Sequence, residues 1–158
     1  MPNDPRRNRY ELHYAKIEAL LQQPLAKLEP EAVIRLQAPG FMDLMVEVLL
    51  PCQATGATIL SLCHYFETNG DLCKDPEMTI RLFPPGSTAY LTLTPSTTAD
   101  LGRAEALTFE QSIPPVFREV YPQPGRFHPK LRSQLKSFLG QWLSNLEAQG
   151  HQPIPSED

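Results

Sequence analysis

Five cations, Arg118, Arg126, Lys130, Arg132 and Lys136, fall between positions 118 and 136 with Glu119 as the only acid among them. Lys130 and Arg132 stand at the start of a helical pattern. Cations there oppose the helix macrodipole, an arrangement tolerated more readily when an anion shares the site with the free N–H groups. Phosphate, a nucleotide or an acidic protein partner would suit that chemistry. Arg81, on the polar side of a strand pattern, joins Arg118, Arg126, Lys130 and Arg132 as a candidate anion- or partner-binding residue. Of these, Arg81, Arg126 and Lys130 are the side chains expected to face a phosphate. The competing reading is a solvated polar face on an amphipathic helix.

Cysteine and histidine offer a second chemistry. Cys52, Cys63-His64 and Cys73 are types that bind zinc when they converge, but the cysteines lie 11 and 10 residues apart. Adjacent strand residues such as Cys63 and His64 also point to opposite faces. Reduced thiols are the expectation, with no metal and no cofactor. A cysteine, His64 or His128 and an acid such as Asp43 would make a nucleophilic trio, yet any chain of this size supplies one. The sequence has no Gly-x-Ser-x-Gly elbow, phosphate-cradling glycine loop, His-Glu-x-x-His or calcium-loop pattern, so no catalytic residue is assigned. His128 reads instead as the residue leading into the last helix, where it could cap, or as the exposed end of the loop from Tyr121. Tyr10, Tyr14, Tyr121 and Trp142 could line a concave surface, but helical spacing makes Tyr10, Tyr14 and Trp142 core positions.

These residues must be positioned by recognisable elements. Asn8 and Glu11 have capping-box spacing, and Tyr10, Tyr14, Ile17 and Leu21 predict a helix over 9–23. Ala32, Ile34 and Leu36 alternate with polar neighbours until Pro39-Gly40, and Met42, Leu44, Val46 and Val48 repeat the pattern until Pro51. Thr58 to Glu67 reads as a third strand ending at Asn69-Gly70. Met78–Phe83, a tight Pro84-Pro85-Gly86 and Tyr90–Thr94 form the clearest hairpin signal. Residues 95–106 read as a mobile polar loop, followed by a short strand at Leu107–Phe109. Leu131, Leu135, Phe138, Leu139, Trp142, Leu143 and Leu146 line one face of a helix over 129–149, started by Pro129 and stopped by Gly150.

The expected fold is α+β: an antiparallel meander of about five strands with both terminal helices on one face. Its organisation is a flexible N-terminus at 1–8, one domain over 9–150 and a flexible proline-rich tail at 151–158. The 158 residues, 41% apolar and 20% charged, suffice for one core. Seventeen prolines, against a usual frequency of ~5%, imply stiff and frequent turns. A net charge of −4 disfavours general nucleic-acid binding, which needs a basic footprint. No apolar run reaches the ~20 residues of a membrane span, and no apolar stretch follows the early arginines as in a signal peptide. An odd set of three cysteines fits a reducing cytoplasm.

Arg9-Tyr10-Glu11-Leu12-His13-Tyr14-Ala15-Lys16-Ile17, Met78-Thr79-Ile80-Arg81-Leu82-Phe83, Tyr121-Pro122 and Phe138-Leu139-Gly140-Gln141-Trp142-Leu143 together resemble the YqiB-like family of bacterial proteins of unknown function, DUF1249, over residues 9–152. The resemblance implies a small cytoplasmic bacterial protein without established enzymatic activity, whose genes often lie near those of nucleotide-degrading enzymes. It adds no site residues. That family carries acidic residues near the start of the last helix, where this chain has Lys130-Leu131. The functional expectation is a non-enzymatic binding or adaptor module recognising a protein partner or an anionic small molecule through residues 118–136. A homodimer is an open possibility, and the alternative function is a sensor or enzyme acting on a nucleotide or phosphorylated small molecule.

Overall fold

The computed structural model of the chain describes residues 8–49, 57–86 and 101–155. The first helix, α1 (Arg9–Leu21), begins as its capping box requires. The Asn8 side chain accepts the Glu11 amide at 2.9 Å, and the Glu11 carboxylate accepts the Asn8 amide at 3.1 Å. Tyr10, Tyr14, Ile17, Leu20 and Leu21 bury one face, and Gln22 ends the helix in a left-handed conformation.

Among the described residues seven strands follow: β1 (Val33–Gln37), β2 (Leu44–Val48), β3 (Thr58–Thr68), β4 (Asp71–Phe83), β5 (Arg103–Gln111), β6 (Val116–Glu119) and, after α2 (Pro129–Gln149), β7 (Gln152–Pro153). Their order across the sheet is β6-β5-β4-β3-β2-β1-β7, and every pairing is antiparallel. The expected antiparallel meander therefore holds, with seven strands among the described residues against the about five expected. The β3–β4 turn is Asn69-Gly70, where both residues take positive φ, 53° and 83°, as the favoured two-residue hairpin turn demands.

Two expectations about the middle of the chain need correction. The Met78–Phe83 alternation is the second half of a strand that starts at Asp71, and its outer neighbour is β5. Tyr90–Thr94, the expected hairpin partner, lies outside the described residues. Likewise 103–106 is strand rather than loop: Ala104 and Ala106 enter the core opposite Leu82 and Ile80, while Arg103 and Glu105 are fully buried in ion pairs. Charged side chains at alternate positions gave those residues the look of a polar connection.

Leu36, Leu44, Val46, Leu60, Leu62, Met78, Ile80 and Leu82 form the helix-facing surface of the sheet. On it lie α1 and α2, whose Leu135, Leu139, Trp142, Leu143 and Leu146 are buried as the stripe predicted. Phe138 is the exception: it is 38% exposed and meets Phe109 edge-on at 5.3 Å between ring centroids. The helices approach closely at Gly140, where a Cβ would come within 2.8 Å of His13 Nε2.

His13 is only 4% exposed, and its Nδ1 has no hydrogen-bond partner. Burial, aided by the charges of Lys16, Arg9 and Lys136, pulls its pKa from 6.5 down to about 4. Between those values the unfolded chain binds a proton that the folded chain refuses, so stability falls as the pH drops through that window. The expected loss by pH 4.5 is roughly 2–3 kcal/mol at ~1.4 kcal/mol per pKa unit. Urea unfolding at pH 7.5 and 4.5 checks this, because the His13→Gln variant should lose that part of the slope.

Residues 151–153, expected to belong to a free tail, are held in place. Gly150 caps α2 in the left-handed region, and the His151 amide returns to the Leu146 carbonyl at 3.1 Å. His151 is then buried with Nε2 2.9 Å from the Met42 carbonyl, and Gln152–Pro153 pair with β1. An edge strand accepts proline at Pro153.

Candidate functional site

The basic segment lies where β6 hands the chain to α2. Val120 is fully buried; its amide donates to the Leu107 carbonyl at 2.9 Å, and its carbonyl accepts the His128 amide at 2.9 Å. Residues 121–127 are thus a closed excursion, turned at Gly125 with φ 78°. One of its ends is pinned by Tyr121, which donates a short hydrogen bond to Glu105 Oε2.

Glu105 is fully buried and also accepts Arg81 Nε, at 3.2 Å, on Oε1. The Arg81 guanidinium lies 5.0 Å from the Tyr121 ring centroid and 5.2 Å from that of Phe83. Burial first, then the Glu105 hydrogen bond, pushes the Tyr121 hydroxyl up to about 12, which keeps it a proton donor at neutral pH. Nearby, fully buried Arg103 approaches Glu11 of α1 at 3.8 Å. This network ties β4, β5, the excursion and α1 into one frame.

Of the five residues expected to bind an anion or partner, the structure divides two from three. Arg81 does project from the polar side of its strand and borders a cavity of about 430 Å³ with Tyr121 and Pro124. Its guanidinium, however, is paired with the buried Glu105 carboxylate. Arg132 lies 4.6 Å over the Phe127 ring and braces the excursion. Lys136 sits 4.8 Å over Tyr10, where burial and the neighbouring arginines lower its pKa. Arg118, Arg126 and Lys130 are exposed. Arg118 and Lys130 flank a groove of about 570 Å³ between β6 and α2, floored by Phe117, Pro122 and Leu131. Arg126 borders the adjoining cavity, about 540 Å³, which shares Pro122 and His128 with that groove.

His128 occupies the N-cap position of α2 but makes no side-chain cap; of its two expected placements it takes the exposed end of the loop from Tyr121, and the first turn has no acid. Pro129 has no N–H to satisfy, whereas the amides of Lys130 and Leu131 are left without helical acceptors. Where α1 closes its first turn with a capping box, α2 leaves an open positive end between two cations.

The other constellations assemble differently. His64 Nδ1 meets the Asp43 backbone carbonyl at 2.8 Å, and Trp142 Nε1 donates to His64 Nε2 at 3.4 Å. Both ring nitrogens are engaged, burial lowers the pKa, and the Asp43 carboxylate turns instead to Arg35 and Gln37. Cys63 is fully buried and its thiol is pushed up to about 12 by burial and then by Glu77, so it is a poor nucleophile. Among the described residues no three His, Cys, Asp or Glu side chains come together as a metal site. Cys52 lies outside the described residues. Tyr121 joins Phe127, 6.0 Å between centroids, rather than Tyr10, Tyr14 and Trp142. The Glu11–Arg103 and Arg81–Glu105–Tyr121 contacts escaped sequence reasoning; the signal available was the strict alternation of Arg103 and Glu105 with two alanines.

Fold and site define a helix-backed antiparallel sheet carrying a basic groove at one edge. The chain matches the model of a domain of unknown function, DUF6908, over residues 15–152, and belongs to that family. This overturns the YqiB-like assignment. The shared features, an aromatic capped helix, an alternating strand and a Phe-Leu/Trp-Leu helix, are what packing two helices on a meander selects, and so do not separate one such family from another. No curated protein and no solved structure matches the chain. No helix among the described residues is long and apolar enough to cross a membrane.

Proposed function

We propose that the chain is a non-enzymatic binding module that recognises a phosphate or carboxylate group in the groove between β6 and the N-terminus of α2. The observation that carries this reading is the open, uncapped helix end set between exposed Arg118 and Lys130, with Arg126 and His128 adjoining. Helix N-termini favour anions through both free amides and dipole, and the cations add an attraction that salt screens over about 8 Å. The frame beneath is suited to hold it, because Arg81, Glu105 and Tyr121 fix the excursion without consuming the outer cations. Free, buried Cys63 and Cys73 support a reducing, cytoplasmic setting. The alternative of a nucleotide sensor or enzyme loses its contextual support along with the YqiB-like assignment.

Thermal melting with inorganic phosphate, and separately with a glutamate-rich peptide, tests the proposal. At a hundredfold excess over Kd either ligand should stabilise the protein by about 2.7 kcal/mol. The combined Arg126→Ala and Lys130→Ala change should remove most of that shift and leave the unliganded melting point nearly unchanged. Equal shifts in variant and parent would rule this groove out.

A further inference from the structure

We propose that the open edge of β6 takes an extended acidic segment of a partner protein as an added antiparallel or parallel strand, with its carboxylates set against Arg118 and Lys130. This rests on the anion-binding reading above and names its partner. Among the described residues β6 is the edge strand at its end of the sheet. The Val120 amide bonds inward to Leu107, and because backbone groups alternate sides along a strand, Phe117 and Glu119 turn their N–H and C=O groups outward. The groove runs along that edge, so an extended chain hydrogen-bonded to Phe117 and Glu119 would lie beside α2. Such edge addition draws affinity from the backbone and specificity from alternate side chains.

Charge and surface composition favour an acidic peptide. Arg118, Lys130 and the positive end of α2 face the groove against Glu119 alone, in a chain of net charge −4. Phe117, 59% exposed, supplies an apolar contact for side chains that alternate with the acids. A bare phosphate ion would use the cations and leave both the strand edge and Phe117 unused. A second copy, also net negative, lacks the same charge match.

The experiment uses an alternating Glu-Val heptapeptide and inorganic phosphate as probes, titrated against the parent, Phe117→Pro and Phe117→Ala proteins. Proline at 117 deletes an outward donor while sparing the bonds to β5. The expected result is peptide binding that weakens at least tenfold in Phe117→Pro, less in Phe117→Ala, with phosphate binding equal in all three. A heptapeptide N-methylated at alternate amides should bind at least tenfold more weakly to the parent, which keeps the test decisive where Phe117→Pro fails to fold. Equal binding of both peptides would overturn edge addition while leaving the anion site standing. Phosphate binding without peptide binding would do the same. Failure of both probes would overturn both readings. Concentration-dependent dimerisation in sedimentation, abolished by Phe117→Pro and without peptide binding, would assign the edge to a second copy instead.

Discussion

Replacing Glu105 with Gln is expected to destabilise the protein by about 3–5 kcal/mol, the usual cost of removing one partner from a buried ion pair. The carboxylate is fully buried and serves Arg81 on one oxygen and Tyr121 on the other. A carboxamide fills the same space but takes the Glu105 charge away from the Arg81 cation, whose side chain is 12% exposed. Its two aromatic neighbours, Phe83 and Tyr121, offer only part of the compensation. Urea unfolding measures the loss. Adding Arg81→Met to Glu105→Gln should restore a large share of it, because the pair is then replaced rather than broken. A Glu105→Gln protein as stable as the parent would mean that the ion pair contributes nothing to holding the excursion on the sheet.

Trp142→Ala should cost about 3–5 kcal/mol, as expected for emptying a large buried aromatic site. Trp142 is 7% exposed, packs among the α2 stripe residues and donates its indole N–H to His64. Its loss both opens a cavity and leaves His64 Nε2 without its donor. At roughly 2–4 °C per kcal/mol for a chain of this size, the melting temperature should fall by about 6–20 °C. Phe138→Ala, at the margin of the same helix, should cost clearly less. Equal losses for the two would contradict the placement of the α2 stripe.

Local signals carried most of the architecture. The capping box at Asn8 and Glu11, the Asn69-Gly70 turn and the stripe from Leu131 to Leu146 each act through neighbours a few residues away, and each was readable from the chain alone. Partners distant in sequence were not. Arg103 and Glu105 looked like loop residues because their pairing depends on Glu11, Arg81 and Tyr121, three residues on three different elements. His151 and Gln152 looked like tail because their partners, Met42 and Gln37, lie more than a hundred residues earlier. For the site, the charge cluster was plain in the sequence. Its division into bracing residues, Arg81 and Arg132, and exposed residues, Arg118, Arg126 and Lys130, depends on ring stacking and ion pairing that only the folded chain reveals.

The two edges of the sheet are chemically unlike, and this bears on how copies of the protein can assemble. At β7 the Ile154 amide bonds inward to Arg35, so the backbone nitrogen of Pro153 falls on the outward side, where it has no hydrogen to donate. That edge is poorly suited to extend the sheet. Joining β6 of one molecule to β7 of the next, the head-to-tail contact that would propagate an open filament, is therefore disfavoured. Joining β6 to β6 closes on itself after two molecules. A strand added at the β6 edge would therefore end in a discrete complex rather than propagate, which would guard an exposed strand edge against fibre growth.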